Sequence, residues 1–146
     1  DANPVVDLFA ISLPELAAAM YADTDSDAAV AIATAPQARM TEVDPDTEEG
    51  QATIHYLVER AKSMSTAAKY LWPIPNRGLS KRLHRVRQPA LIIWGESDGI
   101  IPPIYADHFA TQLPDASVKI VANAAHMVID EQPEQVVEMI ALHLED

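Results

Sequence analysis

The chain contains no cysteine, which excludes a disulfide framework, a thiolate nucleophile and a cysteine-ligated metal. Basic residues are scarce: ten Lys and Arg stand against 22 Asp and Glu, a formal net charge of −12. Binding to nucleic acid needs clustered cations facing the phosphates, so that partner is not expected, and the acidity reads as a solubility feature. Aromatics are few, and four glycines accompany eleven prolines, a balance that suits helices joined by stiff turns better than a sheet-rich barrel. No apolar run approaches the roughly 20 residues of a membrane span, and no signal peptide opens the chain; a soluble, cytoplasmic protein is expected. The histidines at 55, 84, 108 and 143 lack metal-ligand spacing to another ligand, so neither metal nor cofactor is expected. The chain opens Asp1-Ala-Asn-Pro without an initiator methionine, so a processed, truncated or partial polypeptide is expected. Its 146 residues are one domain's worth and would bury about 70% of the unfolded surface.

What is present is organised around Ala90 to Trp94, a continuous apolar run bounded by Pro89 and Gly95. That pattern predicts a strand buried on both faces of a parallel sheet. Asp98 follows three residues past the strand end. Ser117 to Val121 is alternating and β-branched and predicts a second strand, after which Ala122-Asn-Ala-Ala-His126 brings a histidine just past its end. Between them, Ile104, Tyr105, Phe109 and Leu113 have helical spacing, opened by Pro102 and Pro103. A strand, helix, strand unit of this length makes parallel neighbours, with Asp98 and His126 side by side at the carboxyl edge, where open α/β sheets gather their chemistry. A carboxylate and an imidazole so placed are the orienting and proton-shuttling members of a nucleophilic triad.

The run Pro89-Ala-Leu-Ile-Ile-Trp-Gly-Glu-Ser-Asp-Gly-Ile-Ile-Pro-Pro103, the later Ala-Ala-His126, and Glu131-Gln-Pro-Glu134 leading into a closing amphipathic helix resemble the carboxyl-terminal part of the α/β-hydrolase fold superfamily. The resemblance is specific from about Leu83 to the end. It implies an α/β fold, with Asp98 as the acid and His126 as the base. Relatives are commonly glycine-rich before the histidine, where this chain has Asn123-Ala-Ala. The resemblance further implies a helical lid ahead of the α/β part, hence residues 1–75 as a lid or cap segment and 76–146 as the segment carrying acid and histidine. The function implied is that of a carboxyl-terminal fragment of an esterase-like hydrolase, whose complete enzyme acts on a small apolar ester or related molecule. The alternative is a non-catalytic interaction or structural remnant of the fold.

Residues 1–75 read as helical. Ser12-Leu-Pro-Glu15 matches a capping box for a helix through Tyr21, Ala28 to Thr34 forms a second helix stopped by Pro36, and the longest runs from about Asp46 to Leu71, capped by Asp44 with Pro45 at its first position. Trp72 to Pro75 ends it. Met20, Tyr21, Met64 and Trp72 are candidates to line a pocket, though core is the simpler reading. Arg77, Lys81, Arg82, Arg85 and Arg87 form the one basic cluster, read as a solvated helix balancing the acidic segment. The final helix, from Pro133, presents Val136, Val137, Ile140, Ala141 and Leu144 to the sheet.

Gly95-Glu-Ser-Asp-Gly99 spells the G-x-S-x-G of a serine-hydrolase nucleophile elbow. An elbow needs a helix to begin at once after the serine, and Ile100-Ile-Pro-Pro103 delays it. The acid should also lie well downstream of the serine, whereas Asp98 adjoins Ser97. Ser97 is therefore read as a loop residue, and the nucleophile as absent from this chain, so that the chain alone should be inactive. Ala90 to Trp94 is apolar enough for an interior strand, and the expected partner along its free edge is a missing amino-terminal half or a second copy of the chain.

Overall fold

The computed structural model describes residues 5–8, 10–35, 43–71 and 78–145. The chain forms two compact units, one made of Asp1–Thr34 with Gly78–Asp146 and the other of Ala35–Arg77. The first helical stretch, read from sequence together with the rest of 1–75, thus clusters with the α/β residues. The stops expected at Pro36 and at Trp72 to Pro75, and Arg77 of the basic cluster, lie outside the described residues.

The first unit opens with α1 (Leu13–Met20) and α2 (Asp27–Ala33). The capping box forms as the sequence dictates: the Glu15 amide donates to Ser12 Oγ, and the Ser12 amide donates to Glu15 Oε2 at 2.8 Å. The Ser12 hydroxyl, donating to Glu15 Oε2 at 2.7 Å, and then the Ser12 amide hold the Glu15 carboxyl below its ordinary value. Ser26 caps α2 by accepting from the Ala29 amide. Small residues let the two helices approach: Ala17, Tyr21 and Ala29 form a buried cluster, against which Met20, Ile32, Ala33 and Met127 pack.

A 3-10 turn at Leu83–Arg85 replaces the helix expected to carry the basic cluster. Then come β1 (Ala90–Gly95), α4 (Ile104–Ala110) and β2 (Ala116–Val121), the label α3 belonging to the helix Glu48–Leu71 of the second unit. β1 and β2 pair in parallel, from Ala90 opposite Ala116 to Gly95 opposite Val121. The interposed helix covers the sheet, with Phe109 tilted against Trp94 at a ring separation of 6.2 Å. Among the described residues β2 is the only strand beside β1, and Ala90 to Trp94 are half-buried rather than fully enclosed.

A four-residue helix, α5 (Val128–Glu131), leads into α6 (Pro133–Glu145). Here the expected packing is corrected. Val136 is buried, but Val137 is 65% exposed and Leu144 78% exposed. A helix with its side chains is about 10–12 Å across, whereas two strands span about 5 Å, so the described sheet is too narrow to cover the stripe.

The second unit holds α3 (Glu48–Leu71). Its start also differs from expectation. Thr47 Oγ1 accepts the Gly50 amide at 3.0 Å, the capping bond, while Asp44 Oδ1 takes the Asp46 amide in a tight turn one step earlier. Asp side chains favour such local turns, which is why the helix begins after Pro45 and not at it. Among the described residues no helix is long and apolar enough to cross a membrane.

Candidate active site

The site begins where β1 ends. The Glu96 amide continues the ladder by donating to the Val121 carbonyl, and the Ser97 amide donates to the Ala124 carbonyl, both at 2.9 Å. The two post-strand loops are therefore laced together before either candidate side chain is reached. Gly95 makes this possible: a Cβ there would sit 2.0 Å from the Ala125 carbonyl oxygen and 2.7 Å from that of Ala124. The histidine loop crosses directly over the strand end, at a place where only glycine fits.

Asn123, at the turn of that loop, has φ of 55°. Asparagine tolerates the left-handed region better than other residues with a Cβ. Asn123 thus does here what a glycine does in a glycine-rich loop, and Ala124 and Ala125 pack down with no exposed surface. The loop is tight despite its composition.

Asp98 is buried. Its Oδ1 accepts the amides of Ile100 and Ile101, each at 2.9 Å, so the carboxylate is anchored by its own loop. The Trp94 indole N–H donates to the Ile101 carbonyl at 2.9 Å, closing that loop from the strand side. Oδ2 then faces His126 Nδ1 at 3.0 Å, with Oδ1 at 3.2 Å. The Asp98 side chain is 5% exposed and that of His126 is 35% exposed. With the carboxylate ionised, Nδ1–H is the donor, which leaves Nε2 as the ring nitrogen able to accept a proton.

Asp98 and His126, read separately from sequence, are thus in contact across the carboxyl ends of two parallel strands. Ser97 is an exposed turn residue, and the next helix starts only at Ile104. His55, His84 and His143 sit in three different helical elements, and His108 in α4 meets Tyr105 edge to face at 5.6 Å. Among the described residues no group of three or more His, Asp and Glu is arranged to hold a metal ion.

Sequence reasoning left Glu131 as part of a motif without a role. In the structure it accepts the Ala22 amide at 2.6 Å and the Ala125 amide at 2.7 Å. Beside it a cavity of about 730 Å³ is bounded by Tyr21, Asp23, Glu96, Ser97 and Asp130; neither Asp98 nor His126 lines it. Burial, then the carboxylates of Asp130 and Glu131, push the Tyr21 phenol above its ordinary value. Met20 packs with Tyr21 in the helical cluster and Met64 lies in α3, while Trp72 is outside the described residues.

A family model described as alpha/beta hydrolase fold matches residues 16–133. A proline iminopeptidase, PfmaB of Pestalotiopsis fici, is 38% identical over 66 residues, 45% of this chain and 24% of that protein. The uncharacterized hydrolase YugF of Bacillus subtilis is 34% identical over 61 residues, 42% of this chain and 22% of that protein. An alpha/beta hydrolase enzyme from a sediment metagenome of the Mar Chica lagoon in Morocco superposes with a TM-score of 0.53 at 22% identity, over 67% of this chain and 45% of that one. The chain spans about a quarter of the length of the curated relatives it matches.

Proposed function

Because this chain belongs to the alpha/beta hydrolase fold family, we propose that it contributes the acid and the base of a nucleophile-histidine-acid triad to a hydrolase of small apolar esters or related substrates. The observation that carries this reading is the contact of Asp98 with His126 Nδ1 at 3.0 Å, beyond the carboxyl ends of paired parallel strands. In the reaction, Asp98 holds the Nδ1–H tautomer and stabilises the imidazolium when it forms. His126 takes the proton of the attacking hydroxyl through Nε2, returns it to the leaving group, and then activates the water that clears the acyl-enzyme. The nucleophile and most of the oxyanion hole lie outside these 146 residues.

The 146-residue chain is accordingly expected to show no turnover of an activated acyl ester above the buffer rate. Oxyanion stabilisation and binding alone leave only a small residue of catalysis when a nucleophile is missing. Robust turnover that Ser97→Ala abolishes would reverse the reading of the Gly95 to Gly99 loop. The coding sequence upstream of Asp1 separates the enzyme from a structural remnant of the fold: a strand followed by a tight glycine-serine-glycine turn supports the first, and its absence the second.

The same reading requires a partner for β1. Its half-buried apolar residues have one strand neighbour among the described residues, and α6 leaves Val137, Ile140, Leu142 and Leu144 exposed. An uncovered apolar strand edge invites pairing with another chain. We place either further polypeptide of the same hydrolase or a second copy of this chain along Ala90 to Trp94. Light scattering on the purified 146-residue chain is expected to give a mass above the monomer's. A cooperatively folding monomer would refute the need for a covering partner.

A further inference from the structure

The two loops that carry Asp98 and His126 come from different strands, and a contact of 3.0 Å between their side chains demands that something hold the loops still. His126 lies five residues beyond β2, on backbone with no regular ladder. The amides on either side of it show what supplies the hold. The Met127 amide donates to the Met20 carbonyl at 3.0 Å, and in the acid loop the Gly99 amide donates to the Ala19 carbonyl at 3.1 Å. Both acceptors are at the carboxyl end of α1. The Ala125 amide, on a residue with no exposed surface, donates instead to a side chain, Glu131 Oε2, at 2.7 Å.

The other oxygen of the same carboxylate, Oε1, accepts from Ala22 at 2.6 Å and from Asp23 at 3.4 Å. One carboxylate therefore joins the residue next to His126 to the segment leaving α1, more than a hundred positions earlier in the chain. Hydrogen bonds from amides to an ionised carboxylate are about twice as strong as neutral ones. A buried amide such as that of Ala125 has no water to turn to if its acceptor is lost.

We infer that Glu131 is a positioning residue for His126: through the Ala125 amide it sets the loop height at which Nδ1 meets Asp98. It touches neither the imidazole nor any reacting atom, and acts only through the backbone. Chemistry makes the carboxylate specific for this task. Glutamine in its place presents one carbonyl oxygen and one NH2 group to amide donors on both sides, so either Ala125 or Ala22 then faces another donor. A change of one atom should thus release one end of the clamp while leaving size and packing unaltered.

The inference gains its catalytic meaning from the proposed triad, but its test reads the imidazole directly, so either idea can fail without the other. The probe is 15N,13C-labelled 146-residue chain observed by NMR. The unaltered chain should show a through-hydrogen-bond coupling between the Ala125 amide nitrogen and the Glu131 carboxyl carbon, and His126 ring nitrogens in the Nδ1–H form. Glu131→Gln should abolish that coupling and shift His126 to a mixture of tautomers, whereas Glu134→Gln, an exposed change three residues on, should leave both signals in place. A Glu131→Gln chain that folds and keeps the Nδ1–H signature overturns the inference. Should Glu131→Gln fail to fold, the coupling in the unaltered chain decides: its presence sustains the clamp, and its absence overturns it.

Discussion

Replacing Asp98 with asparagine is expected to lower kcat by about 10⁴-fold in a hydrolase that carries this chain, with KM little changed. The argument lies in which atoms asparagine can and cannot imitate. Its carbonyl oxygen can still accept the Ile100 and Ile101 amides that anchor Asp98 Oδ1, so the loop should keep its shape. Its NH2 group then stands where Oδ2 faced His126 Nδ1, and a donor there selects the wrong tautomer. The proton moves to Nε2, which loses the lone pair needed to receive a proton from the nucleophile. Asp98→Ala should add a stability defect of about 1–3 kcal/mol, since the two amides lose their acceptor. Steady-state kinetics of the full-length enzyme paired with urea denaturation separates the two variants. Asparagine at 98 with full activity would mean that the acid lies elsewhere.

The second large effect comes from a residue with no side chain. Gly95→Ala is expected to destabilise the first unit by about 3 kcal/mol or more, at the upper end of overpacking costs, because the added Cβ would meet the Ala125 carbonyl oxygen at 2.0 Å. That obstacle is backbone, held from the other side by the Glu131 carboxylate, and it has no rotamer by which to move aside. Relief requires lifting the histidine loop, which also separates His126 from Asp98. Gly99→Ala offers a comparison. Its Cβ would lie 2.8 Å from Ala19 Cα and 3.1 Å from Ala19 Cβ, contacts that a small shift of α1 can relieve, so a milder loss is expected. The midpoint of urea denaturation and the His126 ring spectrum should rank the unaltered chain first, then Gly99→Ala, then Gly95→Ala. Equal stability of Gly95→Ala and the unaltered chain would contradict the close crossing of the histidine loop.

What the sequence determined by itself was the local grammar. Ser12 and Glu15 specify a helix start through bonds that span three residues, the apolar run at Ala90 to Trp94 specifies a strand, and the spacing of strand, helix and strand specifies parallel neighbours. From those follow the paired edge and the approach of Asp98 to His126, since each lies a fixed, short distance past its strand. Even the start of α3 was nearly readable, missed by a few residues because Asp44 and Thr47 can both cap and sequence does not say which of them opens the helix. Only the tertiary structure decided the rest. That Asn123 adopts a left-handed turn, that Gly95 is crossed by backbone from thirty residues away, and that Glu131 reaches Ala22 are contacts between distant stretches, and no periodicity encodes them. The exposed stripe of α6 belongs to the same class: its pattern dictates an amphipathic helix, but the extent of its burial depends on the width of the sheet available to it. Local propensity acts over one or two turns of chain, whereas close approach and burial are set by which surfaces the whole fold brings together.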